Sequence, residues 1–240
     1  MNTPHLTHGF SLFSVVVVIL LTSHASADSR EFTPQERQLL DKGKLVKRQM
    51  TQRRGGLHLV GGTSWQVIDA DADHVWKVIT DVRTYRKLFP HVVDARLLAK
   101  RGEFRLVYLE HASGPFHVSY SLKGQANAKR RDLTFELDTS RPRDITAAWG
   151  FFTVRPYGKG KSILAYGVML DIGSGILSAL LRDQICGSML HIPRNVRKYI
   201  HERHPKATAR QAGSSDFRAA LRDFDRVAAH GSLQCGEAAI

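Results

Sequence analysis

The chain has 240 residues, 42% hydrophobic and 24% charged, proportions that exclude a disordered, collagenous or cysteine-stapled protein. With Lys+Arg 35 against Asp+Glu 22 the net charge is +13, so the folded surface favours anionic contacts. Two cysteines, Cys186 and Cys235, exclude a disulfide framework and a four-cysteine zinc site, leaving one bridge or two free thiols.

Leu12 to Leu21 is apolar except for Ser14 and is followed by Ala25-Ser26-Ala27. That is the apolar core and small-residue cleavage site of a secretory signal peptide, shorter than the roughly 20 apolar residues of a membrane span. An uncleaved anchor is the other reading, since no Lys or Arg precedes the run. Residues 1–27 hold no charged side chain, so the whole +13 stays on a mature chain starting at about Asp28, expected to be periplasmic or secreted.

Thr33-Pro34-Gln35-Glu36 is a capping box with proline at the first helical position, and a short helix is predicted to run from it to Gly43. Lys44 to Gln52 reads as a polar strand ending in the turn Arg53-Arg54-Gly55-Gly56. Its basic residues fit either a lysine-guarded edge strand or a phosphate footprint. Ser64 to Ala70 reads as a strand. Asp71 to Thr80 then takes helical spacing with Asp71 as N-cap, and Thr84 to Phe89 is a second short helix stopped by Pro90.

Beyond Pro90 the period becomes two, through Val92–Leu98, Glu103–His111, Phe116–Gln125, Asp132–Asp138, Ile145–Arg155 and Ser162–Asp171, with turn residues between. This is an antiparallel meander with one wet and one dry face. The dry face is assigned Phe104, Leu106 and Tyr108, then Val118, Tyr120 and Leu122, then Leu133, Phe135 and Leu137. Gly175 to Arg203 repeats apolar residues at helical spacing, including Leu177, Leu181, Ile185 and Met189, and is predicted to cover that face as one long helix kinked at Pro193. Phe217 to Val227 forms a last amphipathic stripe that would dock on the domain or bind a partner.

The Ile68-to-Ile79 strand–helix junction with Val75-Trp76, the run Asp81 to Pro90, and Trp149 and Tyr166 in the last two strands resemble the START-like (SRPBCC) superfamily of polyketide cyclases and coenzyme-Q-binding proteins. The resemblance implies an α+β helix-grip fold, an antiparallel sheet wrapped around a long C-terminal helix with a cavity between them. On that reading 1–27 is the signal, 28–61 a helix-and-strand extension, 62–204 the ligand-binding domain and 205–240 a tail. It implies a lipid, quinone or other apolar small molecule as partner, with no cofactor. Trp149, Phe151 and Tyr166 would join the dry-face residues and the helix stripe in its wall. A solid aromatic core is the alternative.

The chemical motifs are sparse. His201-Glu202-Arg203-His204 lacks the order and third ligand of a zinc site, and no nucleophile elbow, phosphate loop or dinucleotide fingerprint occurs. Glu110 shares the phase of Tyr108 and either reaches the cavity rim as a base or ends its strand in solvent, while His111 points to the opposite face. Three functions follow: non-enzymatic binding or transport of an apolar molecule; a cyclase or hydratase using Tyr108, Glu110, Tyr120 or Tyr166; and a basic interaction module. The export signal argues against nucleic acid, leaving an anionic membrane as the partner of the charge. Glycines at 173 and 175 would let the cavity open.

Overall fold

A computed structural model describes residues 32–114, 116–173 and 187–203. The signal segment, Leu177, Leu181, Ile185, both cysteines and the tail with its Phe217-to-Val227 helix lie outside the described residues.

Helix α1 (Pro34–Asp41) starts from the predicted capping box: Glu36 N–H donates to Thr33 Oγ1 at 3.2 Å and Thr33 N–H to Glu36 Oε2 at 2.8 Å. Strands β1 (Val46–Arg54) and β2 (Leu57–Ile68) form a hairpin across Gly55 and Gly56, both at positive φ. Helix α2 (Ala72–Thr80) is capped by Asp71, which accepts from His74 N–H at 2.8 Å. A single 3₁₀ turn (Val82–Thr84) and α3 (Tyr85–Leu88) follow.

The meander comprises β3 (Val92–Arg101), β4 (Phe104–Ser113), β5 (Phe116–Asn127), β6 (Asp132–Leu137), β7 (Ala147–Pro156) and β8 (Ser162–Asp171). Together with the first hairpin it makes one antiparallel sheet of order β1-β2-β8-β7-β6-β5-β4-β3. Its inner face packs on α2, α3 and the C-terminal helix α4 (Ile192–Arg203), which buries Ile192, Val196 and Ile200. Polar contacts hold α4 in place: Asn195 Nδ2 donates to the Leu88 carbonyl at 2.9 Å and Arg197 pairs with Asp69 at 3.1 Å.

Two features depart from the sequence reading. The kinked helix is interrupted: residues 187–189 are helical, 190–191 form a turn, and α4 begins at Ile192. Pro193 therefore sits in a first turn, where its missing N–H takes no bond from the helix, and Asn195 N–H makes the bond to the His191 carbonyl at 3.0 Å. Second, the outer face is not wholly wet. There Phe32 and Leu40 cover Val46, Val67, Ile163 and Ala165, with Trp65, Phe151 and Tyr157 packed at the margin.

Candidate functional site

The curved sheet and the helices do not meet completely. A cavity of about 480 Å³ lies between them, walled mainly by apolar side chains of β4 to β8 and closed by Tyr85 and Phe89 of the α3 segment and by Met189. The solid-core alternative therefore fails. A hollow of this size is in the usual range for a small-molecule site.

Cross-strand register decides which residues face it. Val118, Tyr120 and Leu122 line the cavity, and they stand opposite His111, Leu109 and Val107. Directly opposed residues share a face, so the inner phase of β4 is Arg105, Val107, Leu109 and His111. Phe104, Leu106 and Tyr108 point away. This overturns their assignment to the wall: Phe104 is 41% exposed, Leu106 is buried on the far side, and the Arg96 guanidinium carbon lies 4.4 Å from the Tyr108 ring centroid. Both phases of β4 are apolar at mid-strand, and the inner one is bracketed by Arg105 and His111, so alternation alone favours the wrong face.

The same slip occurs on β7. Ala148 and Phe152 line the cavity, whereas Trp149 lies opposite Glu136 and Met169 on the outer face and the Phe151 ring fills the space over Gly167. Leu133, Phe135, Tyr166 and Met189 are on the cavity wall. Glu110 is on the outer face with Tyr108, taking a hydrogen bond from the Tyr108 hydroxyl at 3.3 Å and lying 3.1 Å from His117 Nδ1. It cannot serve a guest inside.

The aromatic wall is continuous. Tyr85 and Phe89 have ring centroids 4.7 Å apart, Phe89 meets Phe152 at 6.2 Å, and Phe152 meets Tyr166 at 4.7 Å. Edge and tilted contacts of this kind favour a fixed arrangement over a mobile one.

Polar groups on the wall are few and mostly engaged. His111 Nδ1 lies 3.2 Å from the Pro90 carbonyl, and His111 Nε2 lies 2.9 Å from the Tyr120 hydroxyl. A carbonyl can only accept, so Nδ1 carries the proton and neutral Nε2 accepts from Tyr120. Burial pushes the His111 imidazole down to about 4, against the Pro90 hydrogen bond that favours its charged form, so the ring is neutral at physiological pH. Burial raises the Tyr120 phenol above its ordinary value. Tyr85 donates to the Ile79 carbonyl at 3.2 Å, and burial pushes its phenol up to about 12. The Asp144 carboxylate accepts from the N–H and hydroxyl of Ser119, both at 2.8 Å.

Among the described residues, two polar groups on the wall stand apart. The Tyr166 hydroxyl is buried without a hydrogen-bond partner, as is Nε of Arg105. Burial, reinforced by the Tyr120 and Tyr85 hydroxyls, holds the Tyr166 phenol far above its usual range. A buried hydroxyl without a partner costs roughly 1–3 kcal/mol. No group of His, Cys, Asp or Glu arranged to hold a metal occurs among the described residues.

The sequence matches the polyketide cyclase / dehydrase and lipid transport family over residues 68–187, half of the chain. The chain belongs to that family. Its fold is the START-like one. A protein of Thermus thermophilus superposes with a TM-score of 0.51 at 14% identity, covering 61% of this chain and 98% of its own. A STAR-related lipid transfer protein from Xanthomonas axonopodis gives 0.51 at 18% identity, covering 65% and 98%. A START superfamily protein of Mycobacterium smegmatis gives 0.50 at 12% identity, covering 60% and 97%. No curated protein matches the chain. Family members are associated with apolar ligands or lipids, and the family's description spans both cyclisation and lipid transport.

Proposed function

We propose that this chain binds an apolar small molecule, a lipid, quinone or similar compound, in the cavity between sheet and helices and carries it without chemical change. The observation that supports this most is the wall itself. It combines a large apolar surface with polar groups that are mostly locked into hydrogen bonds and poorly suited to proton transfer at neutral pH. His111 sits near 4, and the Tyr120 proton is committed to His111. Burial of apolar guest surface, at about 25 cal/mol per Å², supplies the affinity. Organic extraction of the purified protein followed by mass spectrometry tests the reading, and an empty extract together with no binding of apolar probes would refute it.

A cyclase or dehydrase is the second reading, favoured by one feature: the His111–Tyr120 pair faces the cavity as a connected donor and acceptor. Conversion of an extracted guest, lost in His111→Gln, would favour it over simple carriage.

The export reading rests on the apolar run ahead of Ala25-Ser26-Ala27 and places the carrier in the periplasm or outside the cell. The net charge of +13 supports docking of the mature chain on an anionic membrane during loading or delivery. No helix among the described residues is long and apolar enough to span a membrane. Liposome flotation with and without anionic lipid tests the docking, and equal binding to both would dismiss it.

A further inference from the structure

Among the described residues, the two buried polar atoms of the cavity wall that lack a protein partner are both proton donors: the Tyr166 hydroxyl and Nε of Arg105. Three other polar groups of the wall differ. The Tyr120 proton goes to His111, the His111 Nδ1 proton to Pro90, and the Tyr85 proton to Ile79, so these three spend their donors inside the protein. Arg105 likewise spends Nη1 on the Thr80 carbonyl at 2.6 Å, but its Nε–H is left over.

Tyr166 is fixed where it is. Its residue has no exposed surface, and its ring packs between Phe152 at 4.7 Å and Phe135 at 6.5 Å. The hydroxyl cannot swing to another protein acceptor without dismantling that aromatic contact, so its proton is left for whatever occupies the cavity.

We propose that Tyr166 selects guests bearing a neutral acceptor oxygen, a carbonyl, ester or ether on an otherwise apolar body, by donating its hydroxyl proton to that oxygen. The inference rests on the cavity being a binding site and sharpens it. A pure hydrocarbon fills the same space but leaves the Tyr166 proton unmatched, and sites built with a buried donor reject analogues that lack the acceptor.

Two probes of similar shape separate these cases: 2-acetylnaphthalene, with a carbonyl, and 2-ethylnaphthalene, without one. Their affinities for the purified chain and for Tyr166→Phe are measured by calorimetric titration, together with the melting temperature of each protein without probe. The parent chain is expected to prefer the acetyl compound about five- to tenfold, the value of one net hydrogen bond. Tyr166→Phe is expected to bind both probes alike and to melt no lower than the parent, since it gives up a hydroxyl that has no protein partner. Equal affinity of the parent for the two probes, or a preference that survives in Tyr166→Phe, overturns the proposal while leaving the cavity as a binding site. Failure of both probes to bind the parent overturns both readings.

Discussion

The Arg105 guanidinium donates from Nη1 to the Thr80 carbonyl at 2.6 Å, joining the inner face of β4 to the last residue of α2. A terminal helix carbonyl has no partner within its own helix, and a cation there also opposes the negative end of the helix dipole. Arg105 thus fastens the helical cover to the sheet at the wall of the cavity. Arg105→Met keeps the length of the side chain and removes the donor, and it should lower stability by about 1–2 kcal/mol in urea unfolding. An unaltered midpoint would show that the cover is held elsewhere.

His111 makes stability depend on pH. Its folded value is depressed to about 4 from an ordinary 6.5, so the unfolded chain takes up the proton first as pH falls. This contribution is complete above about 6.5, declines as the pH drops toward 4, and is flat below that. Between pH 7.5 and 5 the parent should lose about 2 kcal/mol from this group alone. His191, also depressed by burial and by the neighbouring Lys47 and Arg194 charges, adds a loss in the same direction. His111→Gln, whose amide oxygen still accepts from Tyr120 but does not titrate, should flatten the parent's decline by that amount in denaturant titrations at the two pH values.

Ala148 and Trp149 are neighbours in sequence on opposite faces of β7, with Ala148 on the cavity wall and Trp149 on the outer face. Ala148→Phe should fill part of the 480 Å³ and sharply reduce co-purified guest, measured by mass spectrometry of extracts. Trp149→Ala should leave the guest content as it is. Reversal of this pattern would place the site on the other side of the sheet.

Arg48 clamps α1 onto the outer face. Its Nε and Nη2 donate to the two Glu36 oxygens at 3.0 and 2.8 Å, and its guanidinium carbon lies 5.6 Å from the Phe32 ring centroid and 5.4 Å from that of Trp65. Lysine supplies neither the fork nor the flat stacking surface. Arg48→Lys should cost about 1 kcal/mol and speed proteolysis within residues 32–45, a change that limited digestion followed by mass spectrometry detects.

Legibility in the sequence follows how far each signal is local. The capping box at Thr33, the Asp71 cap, the stop at Pro90 and every strand of the meander lie where local chemistry predicts them, because caps and turns act over a few residues. The side of the sheet each strand shows to the helices is a non-local property. Alternation matches the observed inner phase on β5 and β6, where one phase is apolar and the other polar. It misses that phase on β4 and β7, where both phases carry apolar residues. On β4 the deciding residues are Arg105 and His111, whose polarity signals solvent in an alternation pattern but here belongs to the cavity. Cross-strand pairing with β5 corrects the phase, since Tyr120 opposite Leu109 places His111 inside. The second core under α1 escapes the sequence for a related reason: Ile163 and Ala165 sit on β8, which is apolar on both phases, Val67 stands beside the equally apolar Ile68 at the end of β2, and nothing local says which residues a distant helix will cover.

The strand order also dictates when the hollow can exist. Every other neighbouring pair in the sheet is adjacent in sequence, but β2 joins β8 across some 100 residues, as in the pairing of Ser64 with Tyr166. Closing so long a loop costs entropy that no nearby contact repays, and such pairings are slow to form. The meander can zip up hairpin by hairpin, yet the chamber lacks its far wall until β8 is in place, and the sheet is complete only when β8 docks on β2. A nascent chain stalled before Ser162 would carry an unfinished, greasy trough, and chaperone capture should peak at that length and fall once Asp171 has emerged.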